Sequence, residues 1–329
     1  MSSHSDPLVS FVIPCYNYGR YLGDCLQSIF AQDADYPFEI IVLDDASPDN
    51  TQEVVARFRH PRLRVITHEQ NQGHIRTVQE GLEAARGEFV ARIDADDRYR
   101  PCFLSTLIPK LQAYPEVGLA YGDAAVIDSE GKINIQSCDS AHGGKDFKGN
   151  ELVPLLFRNF LCAPTAIARR EAWTRELPIP PHLAFNDWYF NVMIARRYEF
   201  CYVNRVVADY RVHSQNHHAK VTRDRSEEPS ILYVLDRVFD QSSFEGRLPD
   251  GLDSVRSQVY AAQYLTLAEK YFGAFLNEDA RRCYIEAIRR RPAYLFSSVF
   301  RRFAATILGR DTYERCKGWV RGRSVGGIA

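Results

Sequence analysis

The chain has 329 residues, 45% hydrophobic and 25% charged, the make-up of an ordinary soluble globular protein with room for two domains or one domain and an appendage. No apolar run approaches the ~20 residues that span a bilayer, and the opening Met-Ser-Ser-His-Ser-Asp-Pro lacks the basic stretch and apolar core of a signal peptide, so a cytoplasmic protein is expected. Net charge is −1, but residues 281–323 carry twelve Lys/Arg against three Asp/Glu, a basic tail suited to an anionic partner; no nucleic-acid partner is expected.

Taken in order, Leu8–Pro14 is a strand-like run closed by the turn Cys15-Tyr16-Asn17. Tyr21, Leu22, Cys25, Ile29 and Phe30 then recur at helical spacing. Phe38–Leu43 is a second apolar strand ending in Asp44 and Asp45. Asp49 is the expected N-cap of the next helix, with Gln52 completing a capping box. Leu63–Ile66 is a third strand, and Gly73–Ala85 a helix with the stripe Ile75, Val78, Leu82 and Ala85. A fourth strand, 88–94, runs into Asp94-Ala95-Asp96-Asp97. A helix from about Pro101 to Ala113 and a fifth strand, Val117–Tyr121, follow. Strands alternating with helices of about a dozen residues mean βαβ units and a parallel sheet. Residues 126–150 are polar and Gly-rich, a loop or hairpin over the site.

Three carboxylates within four positions repel one another unless a cation sits among them, and hard oxygen donors suit Mg²⁺ or Mn²⁺. Acidic turns are common, so this stretch alone decides nothing. Its setting adds more. The first, second and fourth strands all end in polar residues, and in a parallel sheet these ends share the rim where nucleotides bind. No Gly-x-Gly-x-x-Gly or Gly-x-x-x-x-Gly-Lys-Ser/Thr loop is present, so the phosphates of a bound nucleotide would have to be held through a metal on the carboxylates.

Pro14-x-Tyr16-Asn17, Asp44-Asp45-x-Ser47-x-Asp49-x-Thr51, Asn71-x-Gly73, Gly87-Glu88 and Asp94-Ala95-Asp96-Asp97-x-x-x-Pro101 occur in this order. The set closely resembles the family 2 inverting glycosyltransferases, which have the GT-A fold: one Rossmann-like, mostly parallel sheet flanked by helices. The resemblance runs from about Val9 to Pro101 and more weakly to His213. It implies that Tyr16 and Asp45 bracket the base of a nucleotide diphosphate sugar, with Pro14, Asn17, Asn71, Gly73 and Arg76 also on the donor side. It implies that Asp94 lies near the ribose and diphosphate, that Asp96 ligates Mn²⁺ or Mg²⁺ with His213 as a further ligand, and that Asp187 is the general base. Leu161–Ala168 resembles the strand on the acceptor side. Two departures are visible: Gln79 stands where the family usually has Asn, and Asn186 precedes Asp187 where a Glu is usual. Without the ordered set, Asp187 would read as a helix-start acid favoured by the dipole.

Residues 1–219 are expected to form the catalytic domain and 220–329 a helical extension. There Tyr264, Leu267, Ala268, Tyr271, Ala280, Tyr284, Ala287 and Pro292 fit one tetratricopeptide-like hairpin, too few for a solenoid. His217 and His218 read as exposed loop. Residues 289–310 are amphipathic and Arg-rich, so a helix here either lies on an anionic membrane surface or packs in the ordinary way. The expected activity is metal-dependent, inverting sugar transfer from a nucleotide diphosphate donor, most simply a UDP-sugar, to a glycan or lipid-linked acceptor hydroxyl. A nucleotidyltransferase and a non-catalytic sugar-nucleotide-binding scaffold are the alternatives.

Overall fold

The structure, a computed structural model, describes residues 6–213, 218–240 and 251–308. Its contacts divide the chain into two compact units, Met1–Leu155 with Asn159–Asn216, and Leu156–Arg158 with His217–Ala329.

The first unit begins β1 (Val9–Cys15), α1 (Gly19–Phe30), β2 (Phe38–Asp44), α2 (Thr51–Ala56), β3 (Leu63–Thr67), α3 (His74–Ala84), β4 (Phe89–Arg92), the two-residue β5 (Arg98–Tyr99), α4 (Phe103–Ala113) and β6 (Val117–Ile127). β7 (Ile133–Ile135), β8 (Phe147–Gly149), α5 (Leu152–Phe157), β9 (Ala166–Arg169), α6 (Arg170–Thr174), α7 (Asp187–Ala195) and β10 (Glu199–Arg211) complete its order. One sheet runs β3-β2-β1-β4-β9-β6-β10-β5, with β7 on β6 and β8 on β10. β1 through β4 are mutually parallel, and β6 is parallel to β10. β9 lies between β4 and β6, antiparallel to both, so the two parallel sets point the same way. The result is the expected mostly parallel α/β sheet flanked by helices.

The strands form because their apolar runs can be covered on both faces. β1 and β4 are buried along their whole length, while β3, at the edge, is half open. α1 turns Tyr21, Leu22, Cys25, Leu26 and Ile29 inward, and α3 turns Val78 and Leu82. Gly87 enters β4 where a Cβ would meet the Ser10 backbone nitrogen at 2.6 Å, so only glycine fits. The seven cysteines among the described residues are free thiols, five of them buried.

Four details differ from expectation. α2 starts at Thr51 with Asn50 before it, and the Asp49–Gln52 capping box does not form. The Asp49 carboxylate instead accepts from the Thr51 N–H and hydroxyl, and its second oxygen accepts from the Gly19 N–H of α1. α4 starts two residues after Pro101. β6 continues six residues past Tyr121, so the 126–150 segment is a β6–β7 hairpin followed by β8. Of Leu161–Ala168 only the last residues are strand, preceded by a 3-10 turn at Ala163–Thr165.

In the second unit, α8 (His218–Arg223) and α9 (Glu227–Phe239) precede α10 (Leu252–Gly273) and α11 (Asn277–Arg290), which pack antiparallel. Tyr264, Leu267, Ala268, Tyr271, Ala280, Tyr284 and Ala287 are all buried. Residues 289–308 do not form one helix: Pro292 cannot continue α11, and a 3-10 turn at Pro292–Phe296 leads into α12 (Ser298–Leu308). Most arginines here are paired: Arg282 with Glu228, Arg289 and Arg290 with Glu286, Arg302 with Glu269. His218 opens α8, whereas His217 and the basic tail beyond 308 lie outside the described residues. No helix among the described residues is long and apolar enough to cross a membrane.

Candidate active site

Because β1, β2, β4, β6 and β10 point one way, their C-terminal ends share a rim; Tyr16 and Asn17 follow β1, Asp45 follows β2 and Asp94 to Asp97 follow β4. Pro14 is buried in β1 opposite Leu43 of β2, inside the sheet itself. Tyr16 follows, 47% exposed. Asn17 adopts φ 60°, uncommon outside glycine, and its N–H donates to Ser47 Oγ. This ties the turn after β1 to the turn after β2, where the Ser47 N–H in turn donates to Asp44 Oδ1 at 2.9 Å.

Asp45 is turned inward. Its Oδ1 accepts from the Gln72 N–H at 2.7 Å and Oδ2 from the Gly73 N–H at 2.9 Å, while Asn71 Nδ2 donates to its carbonyl. His68 Nδ1 meets the same carboxylate and His68 Nε2 meets Glu80 Oε2. Burial alone raises an acid, but these backbone and imidazole donors outweigh it and hold Asp45 below the usual carboxylate range. Burial similarly opposes charge on His68, yet its two carboxylates prevail and raise it. Gly73 takes φ 86° so that α3 can begin immediately after this loop. Arg76 projects from α3 into solvent. Gln79 binds the Ile179 N–H through its carbonyl and Glu83 through its amide nitrogen, so this departure supports the 177–180 segment.

The acidic turn after β4 is tightly organised. Asp94 pairs with Arg92 at 2.8 Å. Asp96 is buried against His213, with Nε2 to Oδ2 at 3.0 Å, and His213 stacks on Tyr21 at 5.3 Å between ring centres. Burial, helped by Asp94, raises the Asp96 carboxyl despite His213. Burial and the charges of Asp96 and Asp94 push Asp97 well up, and its Oδ2 has no hydrogen-bond partner. Arg211 staples this turn: its N–H donates to Asp97 Oδ1 at 2.8 Å, its Nε to the Asp96 carbonyl at 2.7 Å, and its Nη1 to the Asp128 and Ser129 carbonyls. Sequence reasoning assigned a role to neither Arg211 nor His68. In both cases the informative signal is a buried charge, invisible until the carboxylates around it are assembled.

Asp187 opens α7, and its Oδ2 accepts from Asn159 Nδ2 at 3.1 Å. The Cys162 thiol, raised chiefly by burial, is raised further by the charges of both Asp97 and Asp187. Asn186 is buried, with its amide nitrogen unpartnered. Among the described residues no group of three His, Cys, Asp or Glu side chains is arranged to hold a metal. Asp96 and His213 form a two-residue set.

The sequence profile of the family described as Glycosyl transferase family 2 matches residues 10–175, just over half of the chain. An uncharacterized protein of Mycobacterium tuberculosis is 30% identical over 211 residues, 63% of this chain and 59% of that protein, so the match spans less than two thirds of the relative. Staphylococcus aureus TarS (residues 1–349), solved with UDP-GlcNAc, superposes with TM-score 0.67 at 17% identity, covering 95% of this chain and 92% of TarS. A Pyrobaculum calidifontis mannosyltransferase, solved with GDP-Man and Mn²⁺, gives 0.58 at 18% identity, covering 92% and 87%. These likenesses show a shared GT-A fold, and the profile match shows the lineage: the chain belongs to the family 2 glycosyl transferases.

Proposed function

We propose that the protein transfers a sugar, with inversion, from a nucleotide diphosphate donor, most simply a UDP-sugar, to a hydroxyl of a glycan or lipid-linked acceptor. What supports this is the rim at the C-terminal ends of the parallel strands, where Tyr16 follows β1, Asp45 holds the Asn71–Gly73 loop, and Asp94 and the Asp96–His213 pair follow β4; Asp187 opens α7. Tyr16 offers the exposed ring on which a nucleobase stacks. Asp187 takes the acceptor proton as the acceptor oxygen bonds to the anomeric carbon and the bond to the diphosphate breaks on the opposite face. No covalent sugar–protein intermediate is needed.

The donor set fits a hard divalent cation. Burial, with the neighbouring carboxylate charges, drives Asp96 and Asp97 upward, and Asp97 Oδ2 has no hydrogen-bond partner, a strain that a cation among these acids would relieve. Mn²⁺ or Mg²⁺ commonly takes one or two protein ligands and completes its shell with phosphate oxygens, so Asp96 and His213 would suffice. When bound, the ion supplies neutralisation of charge on the departing diphosphate.

A contact with anionic lipid is proposed for the 3-10 turn and α12, where Leu295 and Phe296 of the turn and Phe300 and Ile307 of the helix are exposed. The catalytic unit is taken as 1–219, with 220–329 as a helical appendage.

The test is to incubate the full chain with UDP-, GDP- and dTDP-sugars, Mn²⁺ and candidate acceptors, and to measure free nucleoside diphosphate and product anomer. Diphosphate release with an inverted product is expected. Donor binding without turnover would make the protein a scaffold. Pyrophosphate made from a sugar phosphate and NTP would make it a nucleotidyltransferase.

A further inference from the structure

We infer that Asn159 is a positioning residue for Asp187, fixing one carboxylate oxygen so that the other is presented to the acceptor hydroxyl; this rests on Asp187 being the base. Asn159 Nδ2 donates to Asp187 Oδ2 at 3.1 Å. Asn159 Oδ1 accepts from Asn191 Nδ2 at 3.4 Å, a long bond from the residue one turn further along α7. Positions 187 and 191 share a helix face, so one amide spans both. The arrangement also settles the orientation of that amide, since a carboxylate needs the nitrogen side facing it. Asn191 is buried, and α7 is held by Trp188 Nε1 on the Leu155 carbonyl at 2.8 Å, by Tyr189 on the Glu176 carbonyl, and by Phe190 against Trp173. The support is therefore rigid while Asn159 itself lies at the surface.

One consequence follows chemically. A carboxylate with one oxygen bonded cannot spin freely about its last torsion, so Oδ1, which carries no such bond among the described residues, keeps a constant direction.

The experiment compares the pH profile of kcat for wild type, Asn159→Ala, Asn159→Asp and Asp187→Asn, with donor affinity measured calorimetrically as a check of folding. Loss of one such bond shifts an acid by roughly 0.5–1 pH unit. Asn159→Ala should move the acid limb up by about that much and lower the plateau, with donor affinity unchanged. Asn159→Asp should move the limb further, because a like charge now faces the base. If Asp187→Asn removes the limb but neither Asn159 variant shifts it, Asp187 remains the base and the positioning role is wrong. If Asp187→Asn keeps wild-type transfer, the base assignment falls and the inference falls with it.

Discussion

His68 Nδ1 lies 2.7 Å from Asp45 Oδ1, in a pair almost wholly removed from solvent at the root of the Asn71–Gly73 loop. The same carboxylate takes the Gln72 and Gly73 N–H groups, so the imidazole and the loop are held by one acid. A raised histidine contributes stability that is complete below its unfolded value near 6.5 and is lost as pH rises through its folded value. A lowered aspartate contributes stability above about 3.8 that is lost as pH falls through its folded value. The pair should therefore stabilise most between about pH 4 and 6.5. His68→Ala should cost about 1–3 kcal/mol at pH 5.5 and less at pH 9, and weaken donor binding through the loosened loop. Thermal unfolding and donor titration at both pH values check this.

Asp187→Asn keeps shape and hydrogen-bonding reach but takes no proton at neutral pH. A general base contributes about 10²–10⁴-fold, so kcat should drop by that factor while donor affinity holds. A helix-start acid with no other duty would tolerate Asn, since both residues are favoured at helix starts, and transfer would then stay within a few-fold of wild type.

Asp96→Ala should remove the Mn²⁺-dependent part of donor binding and leave the fold intact. EDTA should stop transfer by the wild type, and added Mn²⁺ should restore it. Metal-assisted UDP affinity that is equal in mutant and wild type, read by calorimetry, would show that Asp96 holds no ion.

A buried acid elsewhere is open to a stability test. Glu151 is buried beside Tyr121 and His142, with Oε1 accepting from the Tyr121 hydroxyl at 3.1 Å. Burial raises its carboxyl to about 7. Here the sign is reversed: an acid raised on folding destabilises progressively as pH climbs from its unfolded value near 4.5 to its folded one. Glu151→Gln should match wild type at pH 5 and gain about 1–3 kcal/mol at pH 8. A loss at pH 8 would mean that the ionised carboxylate is sustained by His142.

The first half of the sheet was legible because its signals are local. β1, β2 and β4 are short apolar runs that end in polar residues, and α1 and α3 carry clear stripes. β10 was missed as a thirteen-residue strand because register shifts around Tyr202, Val206 and Ala208 break its alternation, with Asn204 and Arg205 in the gap. β9 reads as apolar whichever way it runs, so its direction is a property of the fold. The same limit applies to the site. Asp94, Asp96 and Asp187 stand out as acids at element ends, whereas Asn159 and His68 gain meaning from partners 12 to 32 residues away.

The antiparallel β9 has a consequence for how the chain assembles. Phe89, Val90 and Ala91 of β4 pair with Arg169, Ala168 and Ile167, about eighty residues later. Until that late segment emerges and inserts, β4 presents a bare apolar edge, the kind of edge that recruits other chains. A fragment cut after α4 would hold nearly every motif of the donor side and still lack the strand that seals it. The minimal soluble piece should thus extend through Arg169, and closing so long a loop should set the pace of folding for the whole sheet.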